Sequence, residues 1–153
     1  NKKSWRILFK VLKRVPYGIV PFMLSMTVIV IALDKYEIPL FMAQKLIGIS
    51  PLFSYGFSSF IFSNIINNIP MSILFTEVLE SSATLSLPAV YATIIGSNLG
   101  AILSPIGALA GIMWMTILKK EGIPYGYGSF LRYGLVISIP LLVVSLLGLG
   151  LLF

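Results

Sequence analysis

The chain of 153 residues contains no cysteine and no histidine. Disulfide bonds, thiol nucleophiles and thiolate or imidazole metal ligands are therefore excluded within it. Charged residues are also scarce, at 10% of the chain against roughly 25% in soluble domains. With so few ionisable side chains we find no convincing nucleophile–base pair, and an enzyme is the weakest class of function.

Apolar residues are abundant instead. They make up 58% of the chain, above the roughly 45–50% of soluble proteins. The clearest apolar run covers residues 134–153 and carries no charge. As a helix with a rise of roughly 1.5 Å per residue, this run would cross the roughly 30 Å hydrocarbon core of a bilayer. The composition predicts an all-α integral membrane protein with several spans.

The positive charges indicate the orientation in the membrane. The net charge of +6 comes largely from the first fourteen residues. Residues 1–15 are predicted to be a basic amphipathic segment on the cytoplasmic surface, and a solvated basic loop is the alternative. Lipid, and not nucleic acid, is the partner that this charge favours. The chain opens on asparagine and shows no secretory signal, so we expect it to be the interior of a longer protein.

Two polar interruptions divide the membrane domain that we predict over residues 16–153. "SNIINNIP" separates two half-length apolar stretches, which is typical of a re-entrant hairpin. "GSNLGAILSPIGA" interrupts a second segment, which we expect to be unwound near residues 97–105 because of its glycines and proline. The predicted elements are a span at 16–33, an interfacial helix at 38–50, a re-entrant hairpin at 51–82, a broken helix at 86–119 and a last span at 130–153.

The polar side chains at the two interruptions predict a binding site. Non-helical backbone at membrane depth persists only where it is buried in protein or lines a watery cavity. Broken helices of this kind form midplane sites in secondary transporters, and asparagine supplies a donor and an acceptor without a charge. The alternative is that these side chains only hydrogen-bond to neighbouring helices. The candidate residues are Ser63, Asn64, Asn67, Asn68, Pro70, Ser97, Asn98, Gly100, Ser104, Pro105 and Gly107.

The two interruptions resemble a known family. "SNIINNIPMSIL" resembles the hairpin tip of the arsenite efflux permeases of the ion transporter superfamily. "GSNLGAILSPIGALAGIMW" is similar to their Gly-x-Asp/Asn-x-Gly…Thr/Ser-Pro-Ile-Gly segment. The resemblance implies the second of two inverted repeats, with a re-entrant hairpin and a broken helix, whose missing N-terminal half completes the site. Arsenite permeases often carry Asp where this chain has Asn98, which bears on proton coupling.

The same resemblance implies a secondary active transporter of arsenite, antimonite or a small ion in the inner membrane of a prokaryote. The N-terminal segment would be cytoplasmic and the C-terminus outside. No cofactor is expected, but H⁺ or Na⁺ would be the coupling ion. The implied partners are membrane lipid, a small inorganic or carboxylate solute and the N-terminal half, and the fold also allows a homodimer. Two other functions stay open: a sodium-coupled di- or tricarboxylate carrier, and a structural or accessory membrane subunit.

Overall fold

The structure, a computed structural model, describes Trp5 and residues 17–47, 50–82 and 86–153. These residues form α-helices and no β-strand, which confirms the all-α class for this part of the chain. The basic segment predicted at 1–15 lies outside the described residues, apart from Trp5. The helices are α1 (Ile19–Lys35), α2 (Ile38–Ile47), α3 (Pro51–Ile66), α4 (Asn68–Glu80), α5 (Leu87–Leu103), α6 (Leu109–Lys120) and α7 (Tyr127–Leu152).

Among the described helices, α7 alone is both long and apolar enough to cross a membrane. Its 26 residues extend for about 39 Å, which exceeds the hydrocarbon thickness of roughly 30 Å. It begins at Tyr127, three residues before the predicted start at 130. α1 and α5 have 17 residues each, or about 26 Å.

α3 and α4 form an antiparallel pair that turns at Asn67. At the open end of the pair, a hydrogen bond joins the side chains of Tyr55 and Ser82. Closer to the turn, the rings of Tyr55 and Phe62 both meet the ring of Phe75 edge-on. The 16 residues of α3 extend for about 24 Å, so the pair reaches less far than a full span. α1 and α2 pack on the outer side of α4, where Val30 and Ala43 are buried.

α3 and α5 run parallel, and their backbones touch at glycines. A Cβ atom added to Gly96 would overlap the carbonyl oxygen of Gly56, and one added to Gly100 would overlap that of Phe60. Small residues allow this close approach of helices in membranes. α7 runs antiparallel to both helices, because Gly134 meets the end of α5 while Leu146 packs on Gly56 near the start of α3.

The helix interruption lies later than predicted. α5 continues to Leu103 and α6 begins at Leu109, so residues 104–108 form the break. The prediction of unwinding from residue 97 onward is wrong for residues 97–103, which are helical. Gly96 and Gly100 serve the contact with α3 instead of breaking the helix. α5 ends shortly before Pro105, which lacks a backbone N–H donor and cannot continue the hydrogen bonding of the helix.

Candidate functional site

The turn of the α3–α4 pair lies directly against the break between α5 and α6. The side-chain Nδ2 of Asn67 donates to the carbonyl oxygen of Ile106 at 3.1 Å. The backbone N–H of Asn68 donates to the carbonyl oxygen of Gly107 at 3.0 Å. Both acceptors lie where the helix is interrupted, so they lack intrahelical partners. The turn therefore donates hydrogen bonds to carbonyl groups of the break, and the break accepts one from a backbone N–H group of the turn.

Asn67 takes a backbone conformation that few side chains allow. Its φ is +71° and its ψ is 150°, close to a region that is essentially reserved for glycine and costs on the order of 1–3 kcal/mol for other residues. Its side chain offsets part of that cost, because Oδ1 accepts from the N–H of Ile69 at 3.4 Å and caps α4. Asn67 is 2% exposed, so these bonds are made away from lipid and water.

Asn64 joins the same two elements entirely through its side chain. Its Nδ2 donates to the carbonyl oxygens of Phe60 at 3.0 Å and Gly100 at 2.9 Å. Its Oδ1 accepts from the Oγ of Ser104 at 2.7 Å. Both N–H groups and one lone pair of the amide are therefore in use. The absence of a side chain at Gly107 leaves room for this arrangement, since a Cβ there would lie 2.9 Å from that Oδ1.

The remaining residues of this contact are small or buried. Ser63 is fully buried and donates to the carbonyl oxygen of Phe60 at 2.8 Å. A Cβ atom on Gly100 would overlap the hydroxyl of Ser63. Pro70 and Pro105 are also buried, one beyond the turn and one in the break. The tip cluster, as we name it, consists of Ser63, Asn64, Asn67, Gly100, Ser104 and Gly107.

Ser97 and Asn98 lie apart from the tip cluster, although the sequence analysis grouped them with it. They face α4 from the middle of α5, and Asn98 donates only to the carbonyl oxygen of Ile94, at 2.8 Å. Asn68 contributes its backbone to the tip contact, while its half-buried amide makes no hydrogen bond to a described residue. The structure therefore divides the predicted site residues between two places.

The second place is a cavity of about 250 Å³ between α4 and α5. Sequence reasoning missed three of its hydroxyl groups, those of Ser72, Thr76 and Thr93. Their four-residue spacing, from Ser72 to Thr76 and from Thr93 to Ser97, puts each pair on one helix face and was the available signal. The α4–α5 groove, as we name this cavity, is lined by Ser72, Thr76, Leu79, Val90, Thr93, Ile94, Ser97 and Asn98.

Acidic groups do not converge on either place. Glu77 is half-buried and Glu80 is exposed, both near the end of α4 that lies away from the turn. In the described part of the chain, no three acidic, histidine or cysteine side chains come together in a way that could hold a metal ion. Uncharged amide, hydroxyl and carbonyl groups therefore carry the polar chemistry of the tip cluster and of the α4–α5 groove.

The described residues form helices throughout, with one helix of membrane length, a helical pair turned on itself and an interrupted helix. Such an arrangement is typical of α-helical membrane proteins. A model of the family described as "Arsenical pump membrane protein" matches residues 2–153. The chain belongs to this family, which confirms the family resemblance and the membrane class. The family is one of membrane pumps and not of enzymes, as the sequence predicted.

Curated relatives with the same description come from several bacteria. The arsenical pump membrane protein of Yersinia enterocolitica is 28% identical over 151 residues. Those of Escherichia coli (strain K12) and Shigella flexneri are each 29% identical over 151 residues. Each match covers 93% of this chain but 35% of the relative, so the chain spans about a third of the length of these relatives. No solved structure matches the chain.

Proposed function

We propose that this chain is the C-terminal part of a secondary active transporter that exports arsenite or antimonite from a prokaryotic cell. Family membership supports the substrate, because the curated relatives are described as arsenical pump membrane proteins. The mutual hydrogen bonding of two helix interruptions, at Asn67–Ile106 and Asn68–Gly107, is the structural observation that carries the transporter assignment. Discontinuous helices that meet in this way are the usual framework of transporter sites.

The membrane arrangement belongs to the same proposal. We infer a second inverted repeat in which α3 and α4 enter and leave on one side, while α5 and α6 together cross. The short reach of α3 and the antiparallel turn at Asn67 support the re-entrant hairpin. The interruption at residues 104–108 supports the broken helix. In this arrangement α1 would be the first span, α2 would be the interfacial helix and α7 would be the last span.

The charges and aromatic rings near the start of α7 support the orientation. Lys119 and Lys120 end α6, and Trp114 lies nearby with its ring 5.0 Å from that of Tyr125 and 5.9 Å from that of Phe130. Basic residues favour the cytoplasmic side and aromatic rings favour the membrane interface. This end of the helices would therefore face the cytoplasm, and the C-terminus would lie outside.

In this proposal the tip cluster has a positioning role. It holds the hairpin against the broken helix, so that the two interruptions move as one unit against the rest of the transporter. An equivalent hairpin from the N-terminal part of the full-length protein would face this unit and complete the substrate site. Because the chain carries Asn98 where an acidic residue is often found, proton or sodium coupling would depend on groups elsewhere.

The test is arsenite accumulation in everted membrane vesicles that contain the full-length protein. We expect uptake that requires a proton or sodium gradient and that collapses when an ionophore removes that gradient. Vesicles with labelled succinate provide the comparison for a carboxylate carrier. If the inserted protein takes up succinate but no arsenite, the proposed substrate is wrong; if it takes up neither, the accessory-subunit alternative gains support.

A further inference from the structure

The hydroxyl groups of the α4–α5 groove present oxygen acceptors to its interior. Ser72 donates to the carbonyl oxygen of Asn68 at 2.8 Å, and Thr76 donates to that of Ser72 at 2.9 Å. Across the groove, Thr93 donates to the carbonyl oxygen of Ala89 at 2.8 Å. Each hydroxyl thus uses its only hydrogen on the preceding turn of its own helix, while its oxygen keeps lone pairs that can accept.

Ser97 and Asn98, on the same side of the groove as Thr93, add further hydrogen-bonding groups that have capacity left for an occupant. Ser97 is 7% exposed, lines the groove and makes no hydrogen bond to a described residue. No side-chain oxygen of the described residues is both fully buried and unpaired, so this hydroxyl faces the open space of the groove and is free to bond to an occupant. The amide of Asn98 donates to its own helix and leaves its oxygen available to accept. The tip cluster differs, since its amides and hydroxyls already bond to backbone carbonyl oxygens or to one another.

The size and charge of the groove limit the kinds of solute that could bind there. Its volume of about 250 Å³ lies below the roughly 300–1,000 Å³ of pockets for drug-sized ligands. The described residues that line it include no charged side chain, and Leu79, Val90 and Ile94 provide apolar walls. A carboxylate would meet acceptor oxygens without a compensating cation, and a metal cation would meet no carboxylate. A small neutral solute with several O–H donors fits best.

We propose that the α4–α5 groove binds a small neutral solute that donates hydrogen bonds from several hydroxyl groups. Arsenous acid, the neutral trihydroxide form of arsenite, has this chemistry, and its choice as the solute rests on the proposed function. The groove begins one helical turn from Asn68, whose backbone is bonded to Gly107 in the break. It continues to Leu79 and Val90 at the open end of the hairpin. It thus lies beside the tip cluster, on the side that the proposed topology places outside.

The first test removes single hydroxyl groups from the groove in the full-length protein. We expect Ser97→Ala, Thr93→Val and Thr76→Val each to raise the KM for arsenite uptake about three- to tenfold, the factor that corresponds to one hydrogen bond. Ser138→Ala and Thr27→Val are the matched controls, because these hydroxyls bond to Gly134 and Met23 in the same way but lie outside the groove. The controls should keep the wild-type KM. An unchanged KM in all three groove variants overturns the proposal.

The second test does not depend on arsenite. Because the chain has no cysteine, Ser97→Cys places a unique thiol of this chain in the groove. We expect a membrane-impermeant methanethiosulfonate to label it, and glycerol, a neutral triol, to slow the labelling about twofold when half of the grooves are filled. Ser50→Cys, exposed at the open end of the hairpin and outside the groove, should be labelled at the same rate with and without glycerol. Arsenite is avoided here because it binds thiols.

The two tests separate the site from the proposed function. If the wild-type protein takes up no arsenite while glycerol protects Ser97→Cys, the groove stands as a site for hydroxylated solutes and the arsenite function fails. If Ser97→Cys is not labelled, another part of the full-length protein fills the groove and the proposal is overturned. Labelling that glycerol does not slow also overturns it, even where arsenite uptake is normal.

Discussion

Replacement of Asn64 by leucine is the most direct test of how the hairpin is held against the broken helix. Leucine has the branched outline of asparagine, although it is larger, and it offers no hydrogen-bonding group. The change removes the bonds from Nδ2 to the carbonyl oxygens of Gly100 and Phe60, and the bond from Ser104 to Oδ1. Two of the three connect α3 to α5 or to the break, so the contact between these elements should weaken.

The magnitude follows from the three bonds. Hydrogen bonds between membrane helices average about 0.6 kcal/mol, so the two bonds that connect α3 to α5 and to the break contribute about 1 kcal/mol. The hydroxyl of Ser104, which is 4% exposed, would in addition lose its acceptor. A buried polar group left without a partner costs about 1–3 kcal/mol. We therefore expect a loss of roughly 2–4 kcal/mol in the free energy of unfolding.

The assay is unfolding of the full-length protein in mixed micelles with increasing dodecyl sulfate, followed by circular dichroism. Asn98→Leu is the matched control, because that amide is exposed and its nitrogen bonds only within its own helix, to Ile94. We expect the control to lose less than about 1 kcal/mol, the value of one hydrogen bond. Equal losses for Asn64→Leu and Asn98→Leu would refute the assignment of Asn64 as the link between hairpin and break.

Substitutions at Gly100 and at Asn67 test the close packing and the turn in the same assay. Gly100→Ala should destabilise the protein by about 1–3 kcal/mol, which is the usual cost of overpacking, because the added Cβ atom would overlap Phe60 and Ser63. Gly148→Ala is the control. Its Cβ atom would enter open space, so this change should not destabilise the protein. An unchanged Gly100→Ala would show that α3 and α5 do not touch. Asn67→Ala should cost about 1 kcal/mol more than Asn67→Gly, since both lose the amide bonds but only glycine tolerates a φ of +71° easily. The reverse order would exclude this turn conformation.

The sequence predicted the class of fold and the existence of two interruptions, but it did not locate the second interruption correctly. Proline removes a backbone donor and clashes with the preceding turn, so Pro105 indicated a helix end, although Pro140 remains inside α7. Glycine has two consequences in a membrane helix: it can break the helix or let a neighbouring backbone approach. Which one applies at Gly96 and Gly100 depends on α3, which lies far away in sequence.

The sequence likewise predicted some residues of the candidate site and missed others. Asn64, Asn67 and Ser104 stood out because amides and hydroxyls near proline are unusual in an apolar segment, and the structure brings them together. Ser72, Thr76 and Thr93 did not stand out, because single hydroxyls are common in membrane helices and bond to the preceding turn. Their grouping depends on the turn at Asn67, which brings α4 back beside α5.

The bond between Asn67 and Ile106 also has a consequence for biosynthesis. The two residues are 39 positions apart, so at about 5–20 residues per second the ribosome needs about 2–8 s to make the second after the first. During that interval Asn67 and Asn68 lack their acceptors in the break, which disfavours the turn in hydrocarbon. In the proposed topology the hairpin would therefore stay in a hydrated place, such as the translocon, until residues 104–108 are made, and the two would enter the bilayer as one unit.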